Sequence, residues 1–269
     1  MIRVAAYQCE IPLILTKEDQ LNHVQRLIDT IRGRFGRDQA DLIVLPELST
    51  LSYNRETFNR LPMLAEEANG KIFQQFSTLA KELAVTIAYG TAIVEDGVFT
   101  IAQVIVGTTG ERIGVYHKMH VAQFESSYEK EYFGKGRKPF VFQVNDIRVG
   151  VMICYDMRFP QFAEHYALNE DVDLILHPVA FFRDETFPSW HHFVITRALE
   201  NQVYWMSVNQ AGPFFGQSIF SYPWLDRDNK AVISGDEEEI TCFDVDRDVI
   251  AHYRTYYPIR DDNQFLKIW

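Results

Sequence analysis

Three apolar runs in this chain each stop abruptly at a chemically active residue. Leu42-Ile43-Val44-Leu45 runs into Pro46-Glu47, Arg112-Ile113-Gly114-Val115-Tyr116 into His117-Lys118, and the stretch from Ile147 to Ile153 into Cys154. Short runs of this composition read as buried strands. In an open α/β sheet the carboxyl ends of such strands share one rim. A glutamate, a lysine and a cysteine are therefore expected to converge there.

The cysteine has the most telling surroundings. Ile153-Cys154-Tyr155-Asp156-Met157-Arg158-Phe159-Pro160 sets it where a strand gives way to a helix. A thiol on such an elbow stands clear of the sheet, and the free N–H groups there favour a thiolate and can hold an oxyanion. An isolated cysteine is more often a small buried hydrophobe; it is the company of Glu47 and Lys118 that makes Cys154 a candidate nucleophile.

Composition narrows the class. With 269 residues, 47% hydrophobic and 14% aromatic, the chain has material for one large α/β domain spanning 1–269, and none of the bias of a disordered chain. Against 37 Asp and Glu stand 26 Lys and Arg, a formal charge of −11. Nucleic acid and anionic membranes would repel such a surface, so neither is expected as a partner. Cys9, Cys154 and Cys242 form no CxxC pair. Neither a disulfide framework nor a zinc ribbon is indicated, and a reducing, cytoplasmic setting is expected. Ile2 to Gln8 already reads as a core strand, with no signal-peptide h-region before it and no run of transmembrane length elsewhere.

Along the chain, Thr16-Lys17-Glu18-Asp19 resembles a capping box, followed by Leu21, Val24, Leu27, Ile28 and Ile31 at helical spacing. After the strand at 42–45 comes a loop, then a helix over 71–83 with Ile72, Phe76, Leu79 and Leu83 on one face. Strands over 86–94, 98–107 and 111–116 are joined by Glu95-Asp96-Gly97 and Thr108-Thr109-Gly110, which read as hairpin turns. A hairpin across Asn145-Asp146 delivers Cys154. Helices over 160–168 and 190–202 alternate with strands over 174–177 and 204–209, and strands near 218–222, 231–233 and 240–245 complete the body.

At this point the chain resembles the nitrilase superfamily of carbon–nitrogen hydrolases. The matching pieces are Leu45-Pro46-Glu47, Tyr116-His117-Lys118-Met119-His120, Cys154-Tyr155-Asp156-Met157-Arg158-Phe159-Pro160 and Arg197-Ala198-Leu199-Glu200-Asn201-Gln202, in the family's order. The resemblance implies a four-layer αββα sandwich of two mixed sheets flanked by helices. It implies amide hydrolysis through a thioester on Cys154, with Glu47 as base and acid, Lys118 and the Tyr155 backbone N–H at the oxyanion, and no cofactor. By itself Glu47 could as well be a strand-end carboxylate paired with a surface lysine, and Lys118 a solvated one. The family's second glutamate lies on the loop after the lysine, seven positions before a glycine. Glu129 stands so to Gly136, while Glu125 and Glu131 are the alternatives. Relatives also imply a homodimer, with the tail from about 256 to 269 packed on a neighbouring subunit.

A cysteine–histidine dyad is the rival chemistry, and His117, His120, His177, His191 and His192 lack the local context for it. His191-His192 suggests a metal, yet adjacent helical residues point apart and no third ligand has sensible spacing, so no metal is expected. Asp156 is expected to fix the elbow by satisfying free amides. Arg158 either does the same or binds a substrate carboxylate. Arg197, Glu200 and Asn201 read as scaffold. Phe182 is expected in the pocket wall, with Arg183 available to an acidic group. The Cys154-Tyr155-Asp156 surroundings resemble the amidase and ω-amidase branches rather than nitrilases proper. A small linear amide, such as an ω-amide of a dicarboxylic or keto acid, is the expected substrate. An N-carbamoyl amide hydrolase and a catalytically silent scaffold are the alternatives.

Overall fold

The computed structural model describes residues 1–124 and 127–263. Its first half builds one sheet and the helices that cover it: β1 (Ile2–Gln8), α1 (Lys17–Arg34), β2 (Leu42–Val44), the single turns α2 (Arg55–Phe58) and α3 (Leu61–Leu64), α4 (Lys71–Leu83), β3 (Thr86–Glu95), β4 (Val98–Val106) and β5 (Arg112–His117). A one-turn helix, α5 (Glu129–Tyr132), leads to the second half. There β6 (Val141–Val144), β7 (Ile147–Val151), a 3-10 turn over Cys154–Arg158, α6 (Pro160–Leu168), β8 (Leu174–Pro178), α7 (Phe187–Asn201), β9 (Tyr204–Val208), β10 (Ile219–Ser221) and β11 (Val232–Ile233) follow in order. Then β12 (Glu239–Val245) returns to the first sheet, and α8 (Arg247–Tyr256) and α9 (Ile259–Asp262) close the described chain.

Among the described residues each sheet has six strands, ordered β12-β1-β2-β3-β4-β5 and β11-β10-β9-β8-β7-β6. The centres are parallel, β1, β2 and β3 in one and β7, β8 and β9 in the other, while the flanks are antiparallel. Strand alternation assigns the faces. Ala5, Tyr7, Ile43 and Leu45 pack with Val24, Leu27 and Ile31 of α1 and Ile72, Phe76 and Leu79 of α4. Val4, Ala6, Leu42 and Val44 instead join Val149, Val151, Leu174 and Leu176 in the core between the sheets, which runs on to Phe162, Val194 and Ala198 of α6 and α7. The result is the four-layer αββα sandwich that the resemblance implied.

Local chemistry sets the helix boundaries. Thr16 caps α1 through the expected box: its hydroxyl accepts from Asp19 N at 3.1 Å, and Asp19 Oδ2 accepts from Thr16 N at 2.9 Å. One expectation needs correction. The segment after Cys154 is a 3-10 turn, and the α-helix starts only at Pro160, whose fixed φ suits a first helical position. Sequence reading left 247–256 unassigned; it is α8, capped by Asp246 and buried through Ile250 and Tyr253, too few positions to show a period. The single turns α2, α3, α5 and α9 escape sequence reading because four residues carry no helical period. Residues 264–269, the end of the tail expected on a neighbouring subunit, lie outside the described residues.

Gly90, in the middle of β3, shapes the turn that follows β2. Ser49 Oγ bonds both its N–H and its carbonyl at 3.0 Å, and Thr50 N donates to the same carbonyl at 3.2 Å. A Cβ there would press into the backbone of Pro46 and Leu48, atoms that cannot swing aside. Only glycine lets the turn carrying Glu47 lie flat on β3. Gly90→Ala is therefore expected to lower the unfolding free energy by about 1–3 kcal/mol, the usual cost of overpacking; an unchanged urea midpoint would contradict the tight approach.

Candidate active site

Glu47 stands on the turn after β2, Lys118 directly after β5, Glu129 at the first position of α5, and Cys154 at the start of the turn after β7. β5 runs in the same direction as β2 and β3, because two antiparallel pairings separate it from β3. The first sheet thus brings Glu47 and Lys118 to one rim, and the second sheet brings Cys154 to it.

Lys118 Nζ donates to Glu47 Oε1 and to Glu129 Oε1, both at 2.7 Å, and the three side chains are 0–1% exposed. Each carboxylate has further donors. Ala180 N reaches Glu47 Oε2 at 2.9 Å; Tyr53 OH and Ala122 N reach the two oxygens of Glu129 at 2.7 Å. Gln210 Nε2 also holds the Glu47 carbonyl at 3.1 Å. Glu131 points elsewhere, in a surface pair with Arg55 at 2.5 and 2.8 Å, and Glu125 lies outside the described residues.

Burial raises the Glu47 carboxyl to about 7; the Lys118 ammonium only partly offsets it, and the nearby Glu129 adds to the rise. Burial works against the Lys118 charge as well, but Glu129 and Glu47 outweigh it and push that pKa upward. The Cys154 thiol is raised well above its ordinary value, by burial first and then by the negative charge of Glu47, with Lys118 opposing. The elbow was expected to favour a thiolate, and this corrects it. One ammonium shared by two carboxylates, and a single 3-10 turn in place of an α-helix N-terminus, leave the resting thiol neutral. The Ala180 N–H faces the sulfur as well as Glu47, so carboxylate and thiol flank one backbone amide.

Cys154 has the left-handed φ of +45°, costly for a residue with a Cβ, and the structure secures it on both sides. Asp156, fully buried, accepts from Ile153 N at 2.9 Å, Tyr116 OH at 2.6 Å and His120 N at 3.0 Å, and its Oδ1 meets His120 Nδ1 at 2.7 Å. It therefore ties the elbow to β5 and the loop beyond, within the turn rather than inside a helix. Arg197 of α7 adds a bond to the Met157 carbonyl at 3.2 Å.

A cleft of about 590 Å³ opens over this assembly, its walls including Tyr53, Phe124, Cys154, Tyr155, Arg158 and Phe182. Among described residues the Arg158 guanidinium has no carboxylate partner; it lies over the Phe193 ring at 4.7 Å. Phe182 stacks on Phe214 with centroids 5.5 Å apart. Arg183 does not line the cleft. Its guanidinium pairs with Asp236 and donates to the Phe215 carbonyl at 2.7 Å, a loop arrangement invisible in linear sequence. Among the described residues no three His, Cys, Asp or Glu side chains group as a metal site, and no helix is long and apolar enough to cross a membrane. Sequence reading missed Tyr53, Ala180 and Gln210: one carries no motif, and two act through or upon backbone atoms.

The carbon-nitrogen hydrolase family profile matches residues 3–255. The chain belongs to that family. It is 31% identical to a Pyrococcus abyssi nitrilase over 274 residues, covering 99% of this chain and 97% of that protein. With the Xenopus laevis omega-amidase NIT2-B it shares 30% identity over 256 residues, 91% of this chain and 89% of the other. Among solved structures, Saccharomyces cerevisiae Nit3, a member of branch 10 of the nitrilase superfamily, superposes with a TM-score of 0.81 at 26% identity, covering 96% of this chain and 94% of that one. The chain is thus a hydrolase of carbon–nitrogen bonds.

Proposed function

We propose that this protein hydrolyses a small linear amide through a thioester on Cys154. The buried Glu47–Lys118–Glu129 chain beside a neutral thiol at the mouth of a cleft carries this reading. Glu47 takes the Cys154 proton as sulfur attacks the amide carbon. The carbonyl π pair moves to oxygen, where the Lys118 ammonium and the Tyr155 N–H meet it. As the oxyanion collapses, the C–N bond breaks and Glu47 returns its proton to the nitrogen, releasing ammonia. Glu47 then deprotonates water, which attacks the thioester; the acid leaves and the proton returns to sulfur. Glu129, fixed by Tyr53 and Ala122, holds Lys118 in place throughout.

Substrate choice rests on Arg158 and Phe182. A guanidinium in the cleft with no carboxylate partner among the described residues suits a distal carboxylate, and the relative named an omega-amidase agrees with an ω-amide of a dicarboxylic or keto acid. The same reading makes the protein a cytoplasmic homodimer, with Cys9, Cys154 and Cys242 kept as thiols; sedimentation at micromolar concentration tests the dimer, and a monomer would refute it.

Ammonia release from succinamate, glutaramate and their N-carbamoyl counterparts is expected for the ω-amides, with an acyl adduct on the wild type by intact mass and neither signal from Cys154→Ala. Turnover by Cys154→Ala would end the thioester reading, and carbon dioxide formed with ammonia would identify an N-carbamoyl hydrolase instead. Because Glu47 must be ionised to accept the thiol proton, kcat/KM is expected to climb about tenfold per pH unit on the acid side and to level off near the Glu47 value of about 7. A flat profile from acid to neutral pH would argue against Glu47 as the base.

A further inference from the structure

His177, at the end of β8, is fully buried and takes no part in the steps above. Its Nε2 lies 2.9 Å from the carbonyl oxygen of Cys154, and its Nδ1 lies 2.8 Å from Ser207 Oγ on β9. Trp190 Nε1 of α7 donates to the same Ser207 oxygen at 3.1 Å. The proton order follows from which groups can only accept or only donate. A carbonyl only accepts, so Nε2 carries the hydrogen; Nδ1 is then an acceptor, filled by the Ser207 hydroxyl, whose oxygen takes the indole N–H. Burial keeps the ring neutral, with its pKa pushed down to about 4, so this tautomer persists at any working pH.

The carbonyl of Cys154 and the N–H of Tyr155 belong to one planar peptide unit and point in opposite directions. A donor that fixes the carbonyl on the β8 side therefore fixes the direction of the N–H on the other. No backbone or side-chain acceptor among the described residues takes that N–H. We propose that His177 is a positioning residue which, through the Cys154–Tyr155 peptide, aims the Tyr155 N–H at the oxyanion. Asp156 holds the turn from the Ile153 side and the sulfur is set by the φ of Cys154, so His177 bears on the oxyanion donor more than on the nucleophile. This rests on the thioester reading given above.

The two can be told apart in one assay. Alkylation of Cys154 by iodoacetamide displaces iodide and develops no oxyanion. Addition of the aldehyde 4-oxobutanoate forms a sulfur–carbon bond, sends the carbonyl π pair to oxygen and passes the thiol proton to Glu47, so the adduct's oxyanion rests on the oxyanion donors. Alkylation at Cys154, followed by mass, is measured with and without the aldehyde. In His177→Phe the alkylation rate is expected to stay within about twofold, while the aldehyde concentration that protects rises by about tenfold or more, in keeping with the cost of a lost oxyanion donor; kcat falls with KM nearly unchanged. His177→Gln, which can donate an amide N–H to the same carbonyl, recovers part of the loss. Ser207→Ala, which frees the tautomer, gives a smaller loss of the same pattern and serves if His177→Phe does not fold. Equal losses in alkylation and protection, or no loss in either, overturn the role of His177. Failure of the aldehyde to protect the wild type refutes the reading of an ω-amide thioester itself.

Discussion

One ammonium between two buried carboxylates is the constraint around which this structure is organised. Removing three charges from water costs several kcal/mol per ion, returned only where every charge finds close partners. Here the partners come from separate parts of the chain: Lys118 from the end of β5, Glu47 from the turn after β2, Glu129 from α5, and the amides of Ala122 and Ala180 from two loops. Tyr53 extends the set to the segment before α2. The loops over the rim are thus held by the same bonds that tune the site. An excess of one negative charge follows, so Lys118 only partly offsets the burial that, with the charge of Glu129 added, lifts Glu47 to about 7.

The second sheet meets this cluster with a strained cysteine. A left-handed φ at Cys154 is sustained by the turn that Asp156 ties to β5, while His177, backed by β9 and α7, holds the carbonyl of Cys154 on the other side. The inter-sheet core of Val44, Ala88, Val151 and Leu176 sets the distance between the halves, so packing far from the chemistry decides how the thiol meets the carboxylate.

Much of the scaffold was legible in the chain itself. The runs ending at Glu47, Lys118 and Cys154 are strand ends, α1 begins at its Thr16 box, and α4 buries Ile72, Phe76, Leu79 and Leu83 as their spacing implies. Periodicity and capping are local, and so survive in sequence. What was not legible depends on tertiary neighbours. Spacing alone left Glu125, Glu129 and Glu131 open; in the fold Glu129 meets Lys118 while Glu131 meets Arg55, a division set by which side of α5 faces the core. The thiol's raised pKa reverses the simple expectation for an elbow cysteine, because burial is a property of the whole sandwich. Arg183 is drawn off by Asp236, more than fifty positions later, and no linear pattern marks that pairing.

The central claim is that Cys154 rests as a neutral thiol and is ionised only by transfer to Glu47. Ultraviolet absorbance of thiolate, taken as the difference between wild type and Cys154→Ser across a pH titration, tests it directly. The account expects no thiolate signal from Cys154 at neutral pH, appearing only on the alkaline side of an ordinary cysteine. A thiolate already present at neutral pH, titrating away in acid, would contradict it.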